Sequence, residues 1–134
     1  MLSVFPSLLT FGIFAPLFLR LTAGIFFFYS GYRHFGEERM ELVRELSQKF
    51  SSAGKAIAVT LALVEMLLGL FLIAGFLTQV MALLGMIFTL KLLWFKNKYP
   101  LVAKHEKVVY ALLFVIFLSL LFTGAGAPAV DLPL

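Results

Sequence analysis

The chain has 134 residues, 62% of them hydrophobic and 13% charged, with a mean hydropathy of +1.03 and a net charge of +4. Soluble domains are about half apolar and about a quarter charged, so this composition excludes a soluble globular domain and indicates an integral membrane protein. The chain has no cysteine, which excludes a disulfide framework and thiol–disulfide exchange by the chain itself. The modest net charge gives no reason to expect a nucleic-acid partner.

Four apolar runs predict an all-α integral membrane four-helix bundle, with residues 1–134 as a single transmembrane domain. A spanning helix needs about 20 apolar residues. Pro16 falls in the first turn of the first run, where a helix tolerates it, and residues 1–13 are expected to form an apolar arm. The predicted spans are about 14–33, 56–76, 79–95 and 107–123. Only residues 77–79 join the second and third spans, which predicts a tight antiparallel hairpin.

The connection between the first two spans is hydrophilic but carries apolar residues at helical spacing. Met40, Val43, Leu46 and Phe50 recur every three or four residues, which indicates an amphipathic helix. We expect this helix to lie in the membrane interface. The alternative is a water-exposed helix that covers the mouth of the bundle.

The basic residues predict the orientation of the chain in the membrane. Ten of the eleven fall in the connections after the first and third spans, with their flanks. In a four-span protein both connections lie on one side, and the positive-inside rule places that side in the cytoplasm. We therefore expect a multi-pass protein of the cell membrane with residues 33–55 and 96–107 cytoplasmic and both termini outside.

Two ionisable residues are predicted to lie deep in the membrane, where a charge costs about 2.5–3.5 kcal/mol on insertion scales. Counted from the cytoplasmic side at 1.5 Å per residue, Arg20 and Glu65 differ in depth by roughly 5 Å, so we expect them to pair. The pair would be either a static ion pair that fixes helix register or the polar floor of a ligand or proton site. In the second case the pocket would be walled by Phe27, Phe28 and Phe114.

Five further polar residues near the cytoplasmic ends of the spans are secondary candidates. The lysine among them is expected to extend to the membrane edge, towards the glutamate. The spacing of the two histidines does not favour a metal site, and none is expected. The five are Lys91, Glu106, Tyr110, His34 and His105. The sequence shows no catalytic motif and identifies no catalytic residue.

The third span has bulky residues along one side, beside a glycine. Association of helices in lipid depends on the fit of small residues against large ones. We therefore expect this side to contact another membrane protein or a second copy of the chain. The residues are Met81, Leu84, Phe88, Phe95 and Gly85.

The order of several short motifs in spans one, two and four resembles the DoxX family. The residues that carry the resemblance are mostly glycines and ionisable residues, within the spans and at their ends. In chain order they are Arg20, Leu21, Gly24, Phe27, Gly31, Tyr32, Arg33, His34, Phe35, Glu65, Gly69, Gly75, Thr78, Glu106, Gly124, Gly126 and Asp131. The family often carries basic residues after its last span, which would suggest the opposite orientation.

The resemblance implies a non-catalytic accessory subunit or anchor of a membrane redox assembly, which holds a quinone-like lipid. Its partners would be the lipid bilayer and other membrane or redox proteins, or further copies of the chain. The alternatives are an oxidoreductase subunit that reduces quinone and a small-solute or proton pathway. The sequence itself identifies no cofactor, and a quinone or another lipid is the ligand class that the resemblance implies.

Overall fold

A computed structural model of the chain describes residues 12, 14–124 and 126. Within them the chain folds into five α-helices and a short 3-10 helix, Ser51–Ala53, and the described part has no strand. The helices are α1, Ala15–Phe35; α2, Arg39–Phe50; α3, Gly54–Ala74; α4, Thr78–Phe95; and α5, Lys107–Thr123. The four predicted apolar runs are thus helical, with bounds that differ by at most two residues from those predicted. The predictions for the apolar arm before residue 12 and for Asp131 lie outside the described residues.

The turns between the long helices follow from local backbone chemistry. Pro16 lies in the first turn of α1, where the missing N–H has no partner to lose. The turn between α3 and α4 is short because Gly75 and Leu77 both adopt left-handed conformations, with φ of 70° and 49°. Gly124, with φ of 71°, ends α5. The end of the bundle formed by residues 36–53 and 96–106 is called the loop face here, and the end at residues 75–77 the turn face.

α1 and α3 approach each other closely through glycines. A Cβ atom added at Gly69 would lie 2.6 Å from the carbonyl oxygen of Gly24, and one added at Gly31 would lie 2.8 Å from that of Ala62. These positions have no room for a side chain, so the two backbones lie in direct contact. α4 and α5 form a second pair, in which the ring of Phe117 fills the space beside Gly85.

α3 and α4 do not form the predicted tight hairpin. The turn between them is short, but the helices leave a groove of about 340 Å³ along their length, called the α3–α4 groove. Bulky side chains on both helices keep the two backbones apart, because no two glycines face each other across the groove. Its lining residues are Val64, Leu67, Leu68, Phe71, Met81, Leu84, Ile87, Phe88 and Lys91.

The amphipathic helix predicted after the first span exists as α2, but its buried face differs from the prediction. Leu42 and Leu46 are buried, whereas Met40 is 81% exposed and Phe50 46% exposed. The buried pair is spaced by four residues and belongs to the same core cluster as Ala58 of α3. Of the four predicted apolar residues, Leu46 is buried and Val43 packs against the core, so the spacing predicted the helix correctly and its contact side in part.

The connection between α4 and α5 folds down onto the loop face instead of extending away from it. Val102 and Ala103 are buried there. The ammonium group of Lys96 holds the segment in shape by donating to the carbonyl oxygens of Ala103 at 2.8 Å, Lys104 at 3.2 Å and His105 at 2.5 Å. This connection therefore covers the ends of α1 and α2.

Two stretches of the described chain are long and apolar enough to cross a membrane. They are Arg39–Ala74, which runs through α2 and α3, and Thr78–Phe95. α5 is a shorter apolar helix.

Candidate functional site

The most deeply buried carboxylate of the described residues is paired with a histidine. Glu65 of α3 is 1% exposed, and its Oε2 lies 2.6 Å from Nδ1 of His34 on α1. The hydroxyl of Ser30 donates to the same oxygen at 3.4 Å. His34 faces inward because it follows Phe27 and Gly31 at spacings of seven and three, on the face of α1 that contacts α3.

A second carboxylate connects the imidazole of His34 to the loop face. Glu38 lies in the turn after α1, and its Oε2 is 3.8 Å from Nε2 of His34. Its other oxygen, Oε1, accepts from Nη2 of Arg33 at 2.5 Å and from the ammonium group of Lys104. Glu38 thus joins the end of α1 to the connection between α4 and α5. Burial acts to raise the pKa of Glu38, but Lys104, Arg33 and His34 outweigh it and hold that pKa below its usual range.

A small polar cavity of about 20 Å³ lies beside this pair of carboxylates. That volume accommodates about one water molecule. The cavity lies between the end of α1 and the connection to α5. Its lining residues are Tyr29, Ser30, Arg33, His34, Glu38, Val102, Lys104, His105 and Tyr110.

His105 and Tyr110, two of the predicted secondary candidates, form the far wall of this cavity. The backbone N–H of His105 donates to the Tyr110 hydroxyl at 3.3 Å, and the His105 ring lies 4.8 Å from that of Phe26. Partial burial, together with the positive charges of Lys96 and Arg33, lowers the pKa of His105. These effects favour the neutral form of its imidazole.

The predicted pairing of Arg20 with Glu65 does not occur. Glu65 contacts His34, whereas the Cζ atom of Arg20 lies 2.6 Å from the position of a Cβ added at Gly75. Gly75 is ten residues beyond Glu65, which places Arg20 about 15 Å away along the helix axis. Arg20 is 2% exposed and lies at the turn face, whereas Glu65 lies midway along α3.

The error in that pairing comes from the loop-face end of α3. Gly31, four residues before the end of α1, contacts Ala62 and Met66, so the first turns of α3 extend beyond the end of α1. There they contact α2, where Gly54 lies against Ser47. A depth count that starts both helices at the same level places Glu65 too far from the loop face.

Lys91 and Glu106, the other secondary candidates, are exposed and lie outside the cluster. Lys91 lines the loop-face end of the α3–α4 groove. Glu106 immediately precedes α5 and makes no side-chain cap hydrogen bond. On α4 the expected contact side is divided, because Gly85 faces Phe117 inside the bundle whereas Met81, Leu84 and Phe88 line the groove.

The interior pocket predicted between spans one, two and four is filled by aromatic rings. Phe27 is fully buried, and its ring centroid lies 5.8 Å from that of Phe88 and 5.6 Å from that of Phe117. Phe28, which was expected to wall the pocket, is 37% exposed. The α3–α4 groove, which lies outside this aromatic packing, is an apolar space of a size that suits a lipid tail.

Glu38 was missed by the sequence interpretation, and His34 was assigned to the membrane edge. The spacing of Phe27, Gly31 and His34 would have placed the histidine on the inner face of α1. Glu38 follows His34 by four residues, the spacing at which two side chains on a helical turn meet. Lys104 has no comparable signal, because its contact with Glu38 joins residues 66 apart in the chain.

The arrangement can hold and move protons but does not resemble a metal site. Within residues 14–124 no group of three or more His, Asp or Glu side chains is placed to bind a metal ion. Carboxylate, imidazole and carboxylate follow one another from the interior to the loop face, and each can gain or lose a proton.

Comparison with known proteins gives one match. The family model described as DoxX matches residues 15–97, which is more than half of the chain. Neither the comparison with curated proteins nor the comparison with solved structures found a match.

Proposed function

The chain belongs to the DoxX family of membrane proteins, and from that premise we propose that it is a four-span accessory subunit of a redox assembly that binds a quinone-like lipid. In this proposal the chain has no catalytic activity of its own. The observation that carries the proposal is the α3–α4 groove, an apolar space between two long helices with a single cationic side chain at one end.

The lining of the groove suits an amphiphilic ligand, which has an apolar tail and a polar head group. Its lining is apolar along its length except for Lys91, which lies four residues before the end of α4. At 1.5 Å per residue this is about 6 Å from the loop-face end of the helix, the level expected for a lipid head group. A quinone head has carbonyl oxygens that accept from an ammonium group, and its isoprenoid tail would extend along Leu67, Phe71 and Leu84 towards the turn face.

The groove is also open on its outer side, which suits a ligand that enters from the bilayer. Leu67 is 50% exposed, Leu84 is 47% exposed and Ile87 is 46% exposed, so the ligand would need no opening of the bundle. The packed rings of Phe27, Phe88 and Phe117 exclude a lipid tail from the interior. A transmembrane helix of a partner subunit is the competing occupant of the same groove.

The membrane arrangement that we propose has α1, α3, α4 and α5 crossing the bilayer, with the loop face in the cytoplasm and both termini outside. Eight of the eleven basic residues lie in the loop-face segments 36–53 and 96–106 or are Arg33 and Lys55 beside them. In this arrangement α2 lies in the interface, where Met40 and Phe50 are exposed to lipid while Leu42 and Leu46 contact the bundle.

Photolabelling of the full chain in nanodiscs tests the ligand. The probe is a benzoquinone with a photoreactive isoprenoid tail, and labelled peptides are identified by mass spectrometry. We expect labelling in residues 64–71 and 81–91. Leu84→Trp, which fills the groove, should abolish it, whereas Leu83→Trp on the neighbouring lipid-facing position should not.

Three results would each contradict a part of the proposal. Equal labelling of all lipid-facing helices, unchanged by Leu84→Trp, would show that the groove is not a quinone site. Crosslinks from position 84 to a co-purified membrane protein, with no quinone label, would show that a partner helix occupies it. Turnover of quinone by the purified chain alone would contradict the non-catalytic role.

A further inference from the structure

We propose that Glu65 and His34 form a proton-binding site inside the bundle that exchanges protons with the loop face alone, by way of Glu38. This inference concerns different residues from the lipid groove and does not depend on it. It rests on the contacts of three side chains and on the packing around them.

The inner half of the site is the short contact between Glu65 and His34. At 2.6 Å, Oε2 and Nδ1 can share a proton in two ways. Nδ1–H donates to the carboxylate, or the carboxylic acid donates to a neutral ring nitrogen. Both states satisfy the two buried groups, so the pair can gain one proton without leaving a buried polar atom unsatisfied.

The outer half of the site is the gap between His34 and Glu38. Their atoms are 3.8 Å apart, too far for a direct hydrogen bond, and separations of this size are commonly bridged by water. The polar cavity beside them has room for about one water molecule. Glu38 lines this cavity, is 13% exposed and is the carboxylate nearest Nε2 of His34, so in this proposal bulk protons reach the imidazole through it.

The site ends at Glu65 on the other side. Towards the turn face the interior is packed with apolar side chains that are 4% exposed or less: Phe27, Leu68, Leu72 and Phe117. The buried Thr89 hydroxyl donates to carbonyl oxygens of its own helix. Arg20, the next ionisable residue in that direction, lies about 15 Å away along the helix axis. The described residues thus form a site with one entrance and not a path across the membrane.

Other charged and titratable groups face the site from each neighbouring element. α1 contributes Arg33, α5 contributes Tyr110, and the connection between α4 and α5 contributes Lys104 and His105. The backbone carbonyl of Leu101 faces the same imidazole ring. Arg33 and Lys104 are engaged by Glu38, so Glu38 neutralises part of their charge next to the entrance.

Proton uptake proceeds by two transfers with no electron movement. A proton reaches Nε2 of His34 from Glu38 by way of the bridging water, while Nδ1 passes its proton to Oε2 of Glu65. One N–H bond forms and one breaks at the ring, and one O–H bond forms on Glu65. Glu38 takes the transferred proton from bulk water and ends as the carboxylate that Arg33 and Lys104 contact, so the products are a neutral carboxylic acid on Glu65 and a neutral imidazole on His34.

Infrared difference spectroscopy of the full chain in nanodiscs tests this site through the carboxylic-acid band of Glu65. Acidification should produce a buried carboxylic-acid band that is absent in Glu65→Gln, and the band should shift promptly when H2O is exchanged for D2O. In Glu38→Gln the band should persist, but its exchange should slow about a hundredfold, because a positioned proton carrier has been lost. Glu37→Gln removes the exposed neighbouring carboxylate and is the matched control.

The outcomes are distinct. Slowed exchange in Glu38→Gln, with exchange in Glu37→Gln equal to that of the unmodified chain, supports the proposal. If no Glu65 band appears at any pH at which the chain stays folded, the pair is a static ion pair and the proposal is wrong. If the Glu65 proton exchanges as fast in Glu38→Gln as in the unmodified chain, protons do not enter through Glu38 and that part of the proposal is wrong. Circular dichroism of each variant identifies any loss of fold, and selective 15N labelling of the two histidines reports the His34 transfer independently.

Discussion

Glu65 is a carboxylate in the interior of a membrane protein, and its environment explains how it is retained there. The imidazole of His34 and the hydroxyl of Ser30 both contact Oε2. A buried charge that keeps a hydrogen-bonded partner is tolerated, whereas removal of one partner leaves the other group buried and unsatisfied. Loss of one member of the pair should therefore reduce the free energy of unfolding more than loss of both.

A mutant cycle at this pair has a definite expected outcome. His34→Leu should destabilise the chain by about 3 kcal/mol, because Glu65 loses its main partner. The double variant His34→Leu with Glu65→Leu should regain much of that loss, since both polar groups are then gone. Unfolding in mixed detergent measures the free energies. Equal stability of single and double variants would show that the pair is not coupled.

Glu38 should make the stability of the loop face depend on pH. Its pKa in the folded chain is lowered by Lys104, Arg33 and His34 against the opposing effect of burial. A carboxylate with a lowered folded-state pKa stabilises the fold above its unfolded pKa, and that stabilisation is lost as the pH falls through the folded pKa. Glu38→Gln should thus melt earlier than the unmodified chain at neutral pH, with the difference shrinking in acid.

The control for this prediction is Glu37→Gln, which removes the exposed neighbouring carboxylate without touching Lys104. Thermal melts at a series of pH values compare the three chains. A gap between the unmodified chain and Glu38→Gln that stays constant with pH would contradict the role of the charge.

The two deep residues also show which features of the site could be predicted from the sequence. Apolar surroundings identified Arg20 and Glu65 as deep, and both are buried. Their pairing could not be predicted, because it depends on the register of α1 against α3 and on how far α3 extends to meet α2. The spacing of Gly24, Gly31 and His34 carried information on that register, which a count of depth alone did not use.

At the scale of the helices, two glycines make contacts of different kinds. A Cβ at Gly69 would lie 2.8 Å from the Cα atom of Phe28, which is backbone and cannot move aside. A Cβ at Gly85 would lie 2.5 Å from the end of the Phe117 ring, which is a side chain. The α1–α3 contact is therefore rigid where the α4–α5 contact can repack.

Alanine substitutions should separate the two contacts. Gly69→Ala and Gly85→Ala should each cost about 1–3 kcal/mol, the usual range for an overpacked core. The cost of Gly85→Ala should fall in a Phe117→Leu background, which removes the obstructing ring. The cost of Gly69→Ala should be the same with or without Phe28→Leu. Double-mutant cycles from detergent unfolding provide the comparison, and relief of Gly69→Ala by Phe28→Leu would contradict the backbone contact.

The positions of the helices could be predicted from the sequence, whereas the faces through which they contact one another could not. Apolar runs of span length, with Pro16 at one start and glycines at the ends, are enough to locate α1, α3, α4 and α5. The spacing of apolar residues in α2 is compatible with a buried face that contains Met40 and with one that contains Leu42. Only the contact with α3 determines that the face with Leu42 is buried. The α3–α4 groove likewise depends on bulky side chains that meet across two helices, which no single run reveals.

At the scale of the whole molecule, both proposals require the same arrangement of the chain in the membrane. The proton site opens to the loop face, the groove places Lys91 at that same end, and the basic residues of the connections surround it. All of this requires four crossings, with the loop face on one side of the membrane and the turn face on the other.

Single-cysteine labelling tests that arrangement most directly, because the native chain has no cysteine. Gln48 and Asn97 are exposed at the loop face, and Gln79 is exposed at the turn face. With a membrane-impermeant thiol reagent on intact cells, we expect Gln79→Cys to be labelled and Gln48→Cys and Asn97→Cys to be protected until the membrane is opened. Labelling of positions 48 and 79 from the same side would contradict the four-span arrangement.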